Sequence, residues 1–272
     1  MSAGNETLPD GRMKAMLVKD RIVVVTGAAS GIGRALAQRF KQEGAKLVVC
    51  ADRNAEGVKE TAEMVGGAYF VTDVSKEADI QRRIETVETD HGPIDLFCSN
   101  AGIGFGGGAE TPDDKWQLIW EVNVMAHVWA ARHLVPRMTA RGGGYLLNTA
   151  SAAGLLSQVG SASYAVTKHA AVALAEWLAL THGDDGIKVS VLCPQAVRTA
   201  MTAGNPDGVA SVNGMLEPED AAEACIRAIE AETFLVLPHP EVLQYFRNKG
   251  QDYDRWIGGL QKLYAKHAAA NP

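Results

Sequence analysis

Short β-branched or apolar runs that alternate with helix-length stretches set the tightest limit on how this chain can fold. Seven such runs lie at residues 21–25 (RIVVV), 46–50 (KLVVC), 68–71 (AYFV), 94–98 (IDLFC), 145–148 (YLLN), 188–193 (KVSVLC) and 234–237 (FLVL). The segments between them, 31–43, 54–65, 76–90, 113–140, 162–182 and 218–231, are rich in helix formers. Strands joined by helix-length crossovers run parallel, and right-handed crossovers lay the helices on both faces of the sheet. Strands buried on both faces read as unbroken apolar runs, as RIVVV and KLVVC do. The expectation is an α/β fold, a doubly wound parallel sheet of about seven strands in one domain over residues 21–240. Residues 1–20 read as a flexible arm. Residues 241–272 read as a helical tail that carries Tyr245, Phe246, Tyr253, Trp256 and Tyr264 and is broken at Gly250 and at Gly258-Gly259. That tail is expected to pack on the body or on a neighbouring subunit, the alternative being a flap over a substrate pocket.

Composition removes several classes of function. With 47% apolar and 21% charged residues in a chain of 272, disorder is excluded. A net charge of −6 recommends neither a nucleic-acid backbone nor an anionic membrane surface as partner. No apolar run is long enough for a transmembrane helix, and the first residues lack the order of a secretory signal. Cys50, Cys98, Cys193 and Cys225 stand far apart and read as free thiols of a reducing compartment, so a cytoplasmic location is expected. The seven histidines, His127, His133 and His239 among them, have no metal-type spacing; surface or interface roles are expected for them, and no metal.

The first run leads into Thr26-Gly27-Ala28-Ala29-Ser30-Gly31-Ile32-Gly33, after which helix pattern begins at once. A strand, a glycine turn and a helix N-terminus together form an anion site, because backbone N–H groups and the helix dipole face the ligand. The second run ends at Asp52-Arg53, nineteen residues beyond Gly33 (33 to 52). An acidic side chain about 20 residues on is where the adenosine ribose of a dinucleotide is held. A carboxylate accepts from both ribose hydroxyls and repels a 2′-phosphate, so Asp52 favours NAD over NADP; Arg53 is placed to offset that preference. A helix cap is the plainer reading of Asp52, and a solvated side chain that of Arg53. Asp73-Val74 after the third run would hold the adenine edge or cap the next helix.

Tyr164 and Lys168 stand four apart in Tyr-Ala-Val-Thr-Lys, hence on one helix face. A phenol with a pKa near 10 is a poor acid–base group at neutral pH, and a nearby cation lowers that value. Ser151 follows the fifth run, at a strand carboxyl end where doubly wound sheets bind ligands. Its hydroxyl can hydrogen-bond a carbonyl or alcohol oxygen.

With TGAASGIG at 26–33, Asp73-Val74, Ser-Asn-Ala-Gly at 99–102, Asn123, Ser151, YAVTK at 164–168 and Pro194 to Thr199, the chain resembles the short-chain dehydrogenase/reductase family over about residues 20–240. The resemblance implies a Rossmann-like domain and hydride transfer between a nicotinamide cofactor and an alcohol or ketone. Tyr164 would be the general acid/base, Ser151 would polarise the substrate oxygen, and Lys168 would lower the Tyr164 pKa and bond the nicotinamide ribose. Asn123 would position a water that links Lys168 to solvent. Gly27, Ser30, Gly31, Ile32 and Gly33 would cradle the phosphates. Asn100, Ala101 and Gly102 would line the cofactor, and Pro194, Val197 and Thr199 would contact its carboxamide and phosphates. Two positions depart from the family pattern: Ser99 stands where an Asn is usual, and Gln195 follows Pro194 where a Gly is usual.

Candidate substrate-pocket residues are Ala153, Leu155, Leu156, Gln158, Val159, Gln195, Ala196 and Met201. They are mainly apolar and include no Arg or Lys, which suits a hydrophobic secondary alcohol or its ketone better than a carboxylate or phosphate. Residues 200–217 read as a loop that orders on substrate binding. Trp116, Trp120, Trp129 and Trp177 on the two long helical segments exceed what one sheet face can cover, and the resemblance implies a homodimer or homotetramer. The competing readings are an NADP-linked ketone reductase, a non-catalytic nucleotide sensor on the same fold, and a sugar-nucleotide epimerase, for which the chain is short.

Overall fold

A computed structural model of the chain describes residues 17–203 and 209–270. Most of the expected amino-terminal arm, and residues 204–208 of the expected mobile loop, lie outside the described residues.

Seven parallel strands form one sheet: β1 (Ile22–Thr26), β2 (Leu47–Asp52), β3 (Ala68–Val71), β4 (Leu96–Ser99), β5 (Gly144–Thr149), β6 (Ile187–Leu192) and β7 (Leu235–Val236), in the spatial order β3-β2-β1-β4-β5-β6-β7. The order reverses between β1 and β4, and that switch point opens a crevice at the strand carboxyl ends. Side chains alternate along each strand, so the sheet divides the core in two. Val23, Val25, Val48, Cys50 and Leu147 pack on α1 (Gly31–Gln42), α2 (Ala55–Val65) and α8 (Pro218–Glu230). Val24, Val49, Leu146, Val189 and Val191 pack on α3 (Glu77–Asp90), α5 (Ala126–Ala140) and α7 (Ala162–His182). Burial follows the sheet: β1 is buried along its whole length, whereas edge strand β3 exposes Tyr69 and Val71.

Three local features differ from the sequence reading. The segment 113–140 is α4 (Asp113–Trp120), one π-helical turn (Glu121–Met125) and α5, not one regular helix. The wide turn carries Asn123, and such turns recur at functional sites. A single helical turn, α6 (Ala153–Leu156), follows β5 and lies next to Ser151. In the tail, α9 (Glu241–Gln251) gives way to α10 (Tyr253–Ala270) at Asp252, and α10 runs through Gly258-Gly259 without a break. The Asp252 carboxylate accepts from the Arg255 backbone N–H at 2.9 Å, a helix start worth about 1 kcal/mol. Interior glycines weaken a helix by a similar amount but do not forbid it.

Candidate active site

At the switch point the Thr26 hydroxyl donates to Cys98 O and accepts from the N–H groups of Asn100 (2.9 Å) and Ala101 (3.1 Å). Asn100 donates through Nδ2 to Thr26 O and accepts at Oδ1 from the Thr149 hydroxyl (3.1 Å). The ends of β1, β4 and β5 are thus clipped together below the glycine turn. Gly27 has φ +68°, and a Cβ there would meet Ala101 Cα at 2.8 Å; a Cβ on Gly33 would meet Gly27 O at 2.1 Å. Ser30 precedes α1 without a side-chain cap bond, and the first turn of α1 has no acidic residue. The amino-terminal end of that helix therefore faces the crevice with its amide donors available to an anion.

The crevice is a cleft of about 1260 Å³, larger than the roughly 300–1,000 Å³ of one small-ligand pocket, so it has room for a dinucleotide together with a second molecule. Its walls include every expected cofactor residue: Gly27 and Ser30 to Gly33 of the turn, Asp52 and Arg53, Asp73 and Val74, the segment 100–102, Tyr164 and Lys168, and Pro194, Val197 and Thr199. Asp52 does not cap a helix, since Asn54 caps α2. Its two oxygens accept from the N–H groups of Ala29 (3.1 Å) and Asn54 (2.9 Å), and a carboxylate keeps further acceptor sites for ribose hydroxyls. Arg53 is exposed and has no ion-pair partner among the described residues. Asp73 accepts from the Ser75 N–H and hydroxyl; burial pushes its carboxyl up, but those bonds and Lys76 outweigh it and hold it below the ordinary value.

On the opposite wall stand Ser151, Tyr164 and Lys168. Ser151 is buried, and its hydroxyl is placed to lower the pKa of the Tyr164 phenol. The expected lowering of the Tyr164 pKa by Lys168 is not what this structure shows. Burial raises the phenol above its ordinary value, and the Ser151 side chain is the opposing influence. Lys168 Nζ lies 5.6 Å from the Tyr164 ring centroid and donates to Thr149 O at 3.1 Å. Burial lowers its ammonium to about 8, with Cys193 acting against that shift. Asn123 is fully buried and lies behind the cleft wall: its Nδ2 donates to Ile103 O and Thr167 Oγ1, and its Oδ1 accepts from Ile103 N. It anchors the backbone that continues from Gly102, which Lys168 flanks.

Of the expected pocket residues, Ala153, Leu156, Gln158, Val159, Gln195, Ala196 and Met201 line the cleft, but Leu155 does not. Leu155 is buried in the core, because consecutive residues of the short α6 point about 100° apart. The sequence reading missed Phe105 from the loop after β4 and Val122 from the π-helical turn, and it brought the tail to the pocket only under the flap alternative, where the structure lines the cleft with Tyr245, Trp256, Leu260 and Leu263. The signal for the last three was present: Trp256, Leu260 and Leu263 recur at helical spacing on one face of α10. The tail also brings Arg255 to the cleft, a cation not foreseen among the candidate substrate-pocket residues. His127 and His239 are buried, contrary to the surface roles expected of them. Burial drives His127 down to about 3, helped by the Lys168 charge, and the neutral ring pairs through Nδ1 with Asn148 Oδ1. Among the described residues no cluster of three or more potential ligands suits a metal ion, and no helix is long and apolar enough to cross a membrane.

The family model for short chain dehydrogenases matches residues 21–209. The chain is 35% identical over 253 residues to the 1-deoxy-11-beta-hydroxypentalenate dehydrogenase of Streptomyces exfoliatus, covering 89% of this chain and 91% of that one. It is also 35% identical over 218 residues to the meso-2,3-butanediol dehydrogenase of Serratia marcescens, covering 76% and 86%. Among solved structures, a short chain dehydrogenase/reductase from Burkholderia phymatum in complex with NAD superposes with a TM-score of 0.80 at 29% identity, covering 88% of this chain and 96% of that one. The chain belongs to the short-chain dehydrogenase/reductase family, a family of oxidoreductases that bind nicotinamide cofactors.

Proposed function

We propose that the protein is an NAD-dependent dehydrogenase of hydrophobic secondary alcohols, or a reductase of the corresponding ketones. The observation that carries this reading is the cleft itself, with Ser151, Tyr164 and Lys168 on one wall and the Gly27–Gly33 cradle on the other. A bound nicotinamide supplies or accepts the hydride, and the protein manages the proton and the geometry. In reduction the Tyr164 hydroxyl, kept protonated by burial, donates its proton to the substrate oxygen while the Ser151 hydroxyl bonds the same oxygen. In oxidation the Tyr164 phenolate takes that proton back, with the Ser151 hydroxyl again on the substrate oxygen. Lys168 adds a positive charge to the same wall, and Asn123 holds the neighbouring backbone in place.

The NAD preference rests on Asp52 at the end of β2, with a carboxylate that would repel a 2′-phosphate; Arg53 beside it favours NADP as the alternative cofactor. An apolar substrate is supported by Leu156, Val159, Met201, Trp256, Leu260 and Leu263 around the cleft. Arg255 at the same cleft supports a second reading, an apolar alcohol that carries a carboxylate at its far end. Four buried, unpaired cysteines suit a reducing cytoplasm. Exposed Trp120 on α4 and Trp177 and Leu180 on α7 support self-association as a dimer or tetramer, which light scattering tests. The central experiment follows NADH formation from a series of secondary alcohols with NAD or NADP. NAD-linked turnover that vanishes in Tyr164→Phe, with cofactor binding retained, supports the reading; undiminished turnover in that variant refutes it.

A further inference from the structure

The peptide group between Pro194 and Gln195 is gripped from two sides. Its carbonyl oxygen accepts from the Ala152 N–H at 2.8 Å and from the Ser151 hydroxyl at 3.3 Å. Its N–H, which points the opposite way in a trans peptide, donates to Nδ1 of His239 at 3.2 Å. His239 lies between β7 and α9, is 2% exposed and does not line the cleft. Prolines on both sides, Pro238 and Pro240, restrict its backbone, and the following proline biases it to an extended form. Because an N–H faces Nδ1, that nitrogen must be an acceptor, which leaves the ring neutral with its proton on Nε2.

We propose that His239 is a positioning residue for the reaction: it sets the plane of the Pro194–Gln195 peptide and, through that carbonyl, the direction in which Ser151 points its hydroxyl proton. The inference rests on the dehydrogenase reading above, in which Ser151 bonds the substrate oxygen. Ser151 Oγ also accepts from the Ala153 N–H at 3.1 Å, so its single proton has two possible destinations, Pro194 O or the substrate. When the proton turns to the substrate, the Ala152 N–H keeps Pro194 O satisfied, and the turn leaves no buried carbonyl unpaired. The arrangement matters more here than it would with glycine after Pro194, because Gln195 restricts how that peptide can rotate. Protonation of His239 at Nδ1 would set two N–H donors against each other and release the peptide. Burial lowers the His239 pKa, against the charges of Glu241 on α9 and Asp220 on α8 and the nearby backbone of Ala196 and Gly214.

His239→Leu fills the site without an acceptor, whereas His239→Asn offers an amide oxygen near the Nδ1 position. With NADH and a ketone that the wild-type protein reduces, His239→Leu is expected to lower kcat on the order of tenfold, the scale set by one buried unpaired N–H, with a much smaller change in the Kd for NADH. His239→Asn is expected to recover most of the lost kcat. The wild-type kcat in this direction should fall on the acid side as His239 protonates, and the His239→Asn profile should stay flat there. Wild-type kcat in His239→Leu, equal kcat in the two variants, or superimposable pH profiles would each overturn the proposal. If His239→Leu does not fold, the two pH profiles decide alone. A wild-type protein inert with every alcohol and ketone overturns the dehydrogenase reading as well, a result readily told apart from an active protein indifferent to position 239.

Discussion

Replacing Lys168 by methionine should make the folded protein more stable while it abolishes turnover. Lys168 is 3% exposed, and burial brings its ammonium from an ordinary value of 10.5 to about 8. At 1.36 kcal/mol per pH unit, that gap means that the charged side chain destabilises the native state by roughly 3 kcal/mol at neutral pH. Methionine has similar length and no charge, so the whole penalty disappears. Against this, Thr149 O loses the bond it accepts at 3.1 Å, a loss of about 1–3 kcal/mol for a buried group. The net expectation is a gain of up to about 2 kcal/mol at pH 7, or a rise in Tm of up to a few degrees for a domain of this size. The pH dependence identifies the cause. Between about 8 and 10.5 the unfolded chain still holds the lysine proton and the folded one has released it, so wild-type stability rises with pH across that interval. The advantage of Lys168→Met should therefore be full below pH 8, shrink above it and reverse by pH 10.5. Urea titrations at pH 7, 9 and 10 measure this directly. A variant no more stable than wild type at pH 7, or a difference that ignores pH, would refute the reasoning.

Gly33→Ala should destabilise the fold by about 1–3 kcal/mol and weaken NADH binding, because its Cβ would sit 2.1 Å from Gly27 O, and backbone cannot yield as a side-chain tip can. The same change at Gly258, where a Cβ meets nothing within 4 Å, should raise the protection of α10 against hydrogen exchange by up to about 1 kcal/mol. Calorimetry and exchange on the two variants should therefore give opposite signs. Leu260→Glu is expected to raise KM for long apolar alcohols more than for short ones; an equal change along a chain-length series would remove α10 from the substrate wall. Asp52→Ala should shift the ratio of kcat/KM for NAD and NADP toward NADP, with Arg53 then free of its acidic neighbour; an unchanged ratio would mean that selection lies elsewhere.

Much of this architecture was legible because it rests on short-range rules. RIVVV and KLVVC read as strands buried on both faces of a parallel sheet, and both became interior strands, β1 beside the switch point and β2 next to β1. The glycine spacing from 27 to 33, the acidic residue that ends β2 and the Tyr–Lys pair each lie within one strand–helix junction or one helix turn, where local spacing fixes geometry. What escaped depends on distant packing. Leu155 and Leu156 are identical in sequence terms and both are buried in the core, and only the setting of α6 brings the second to the cleft wall as well. Gly258-Gly259 looked like a break, yet Asp252 starts a helix that runs on through both. The burial of His127 and His239 has no local signature, since each is enclosed by segments far away in the chain. The direction of the Tyr164 shift also went the other way, because periodicity shows the cation one turn along but not the loss of solvent around a phenol set in the cleft wall.

The Thr26 clip has one more consequence. Its single hydroxyl ties β1, which belongs to the half of the sheet built by β1–β3, to the chain leaving β4, where the other half begins. A dinucleotide lying across that seam would add its own contacts to those by which the two halves already hold each other, so saturating coenzyme should move their unfolding to higher temperature.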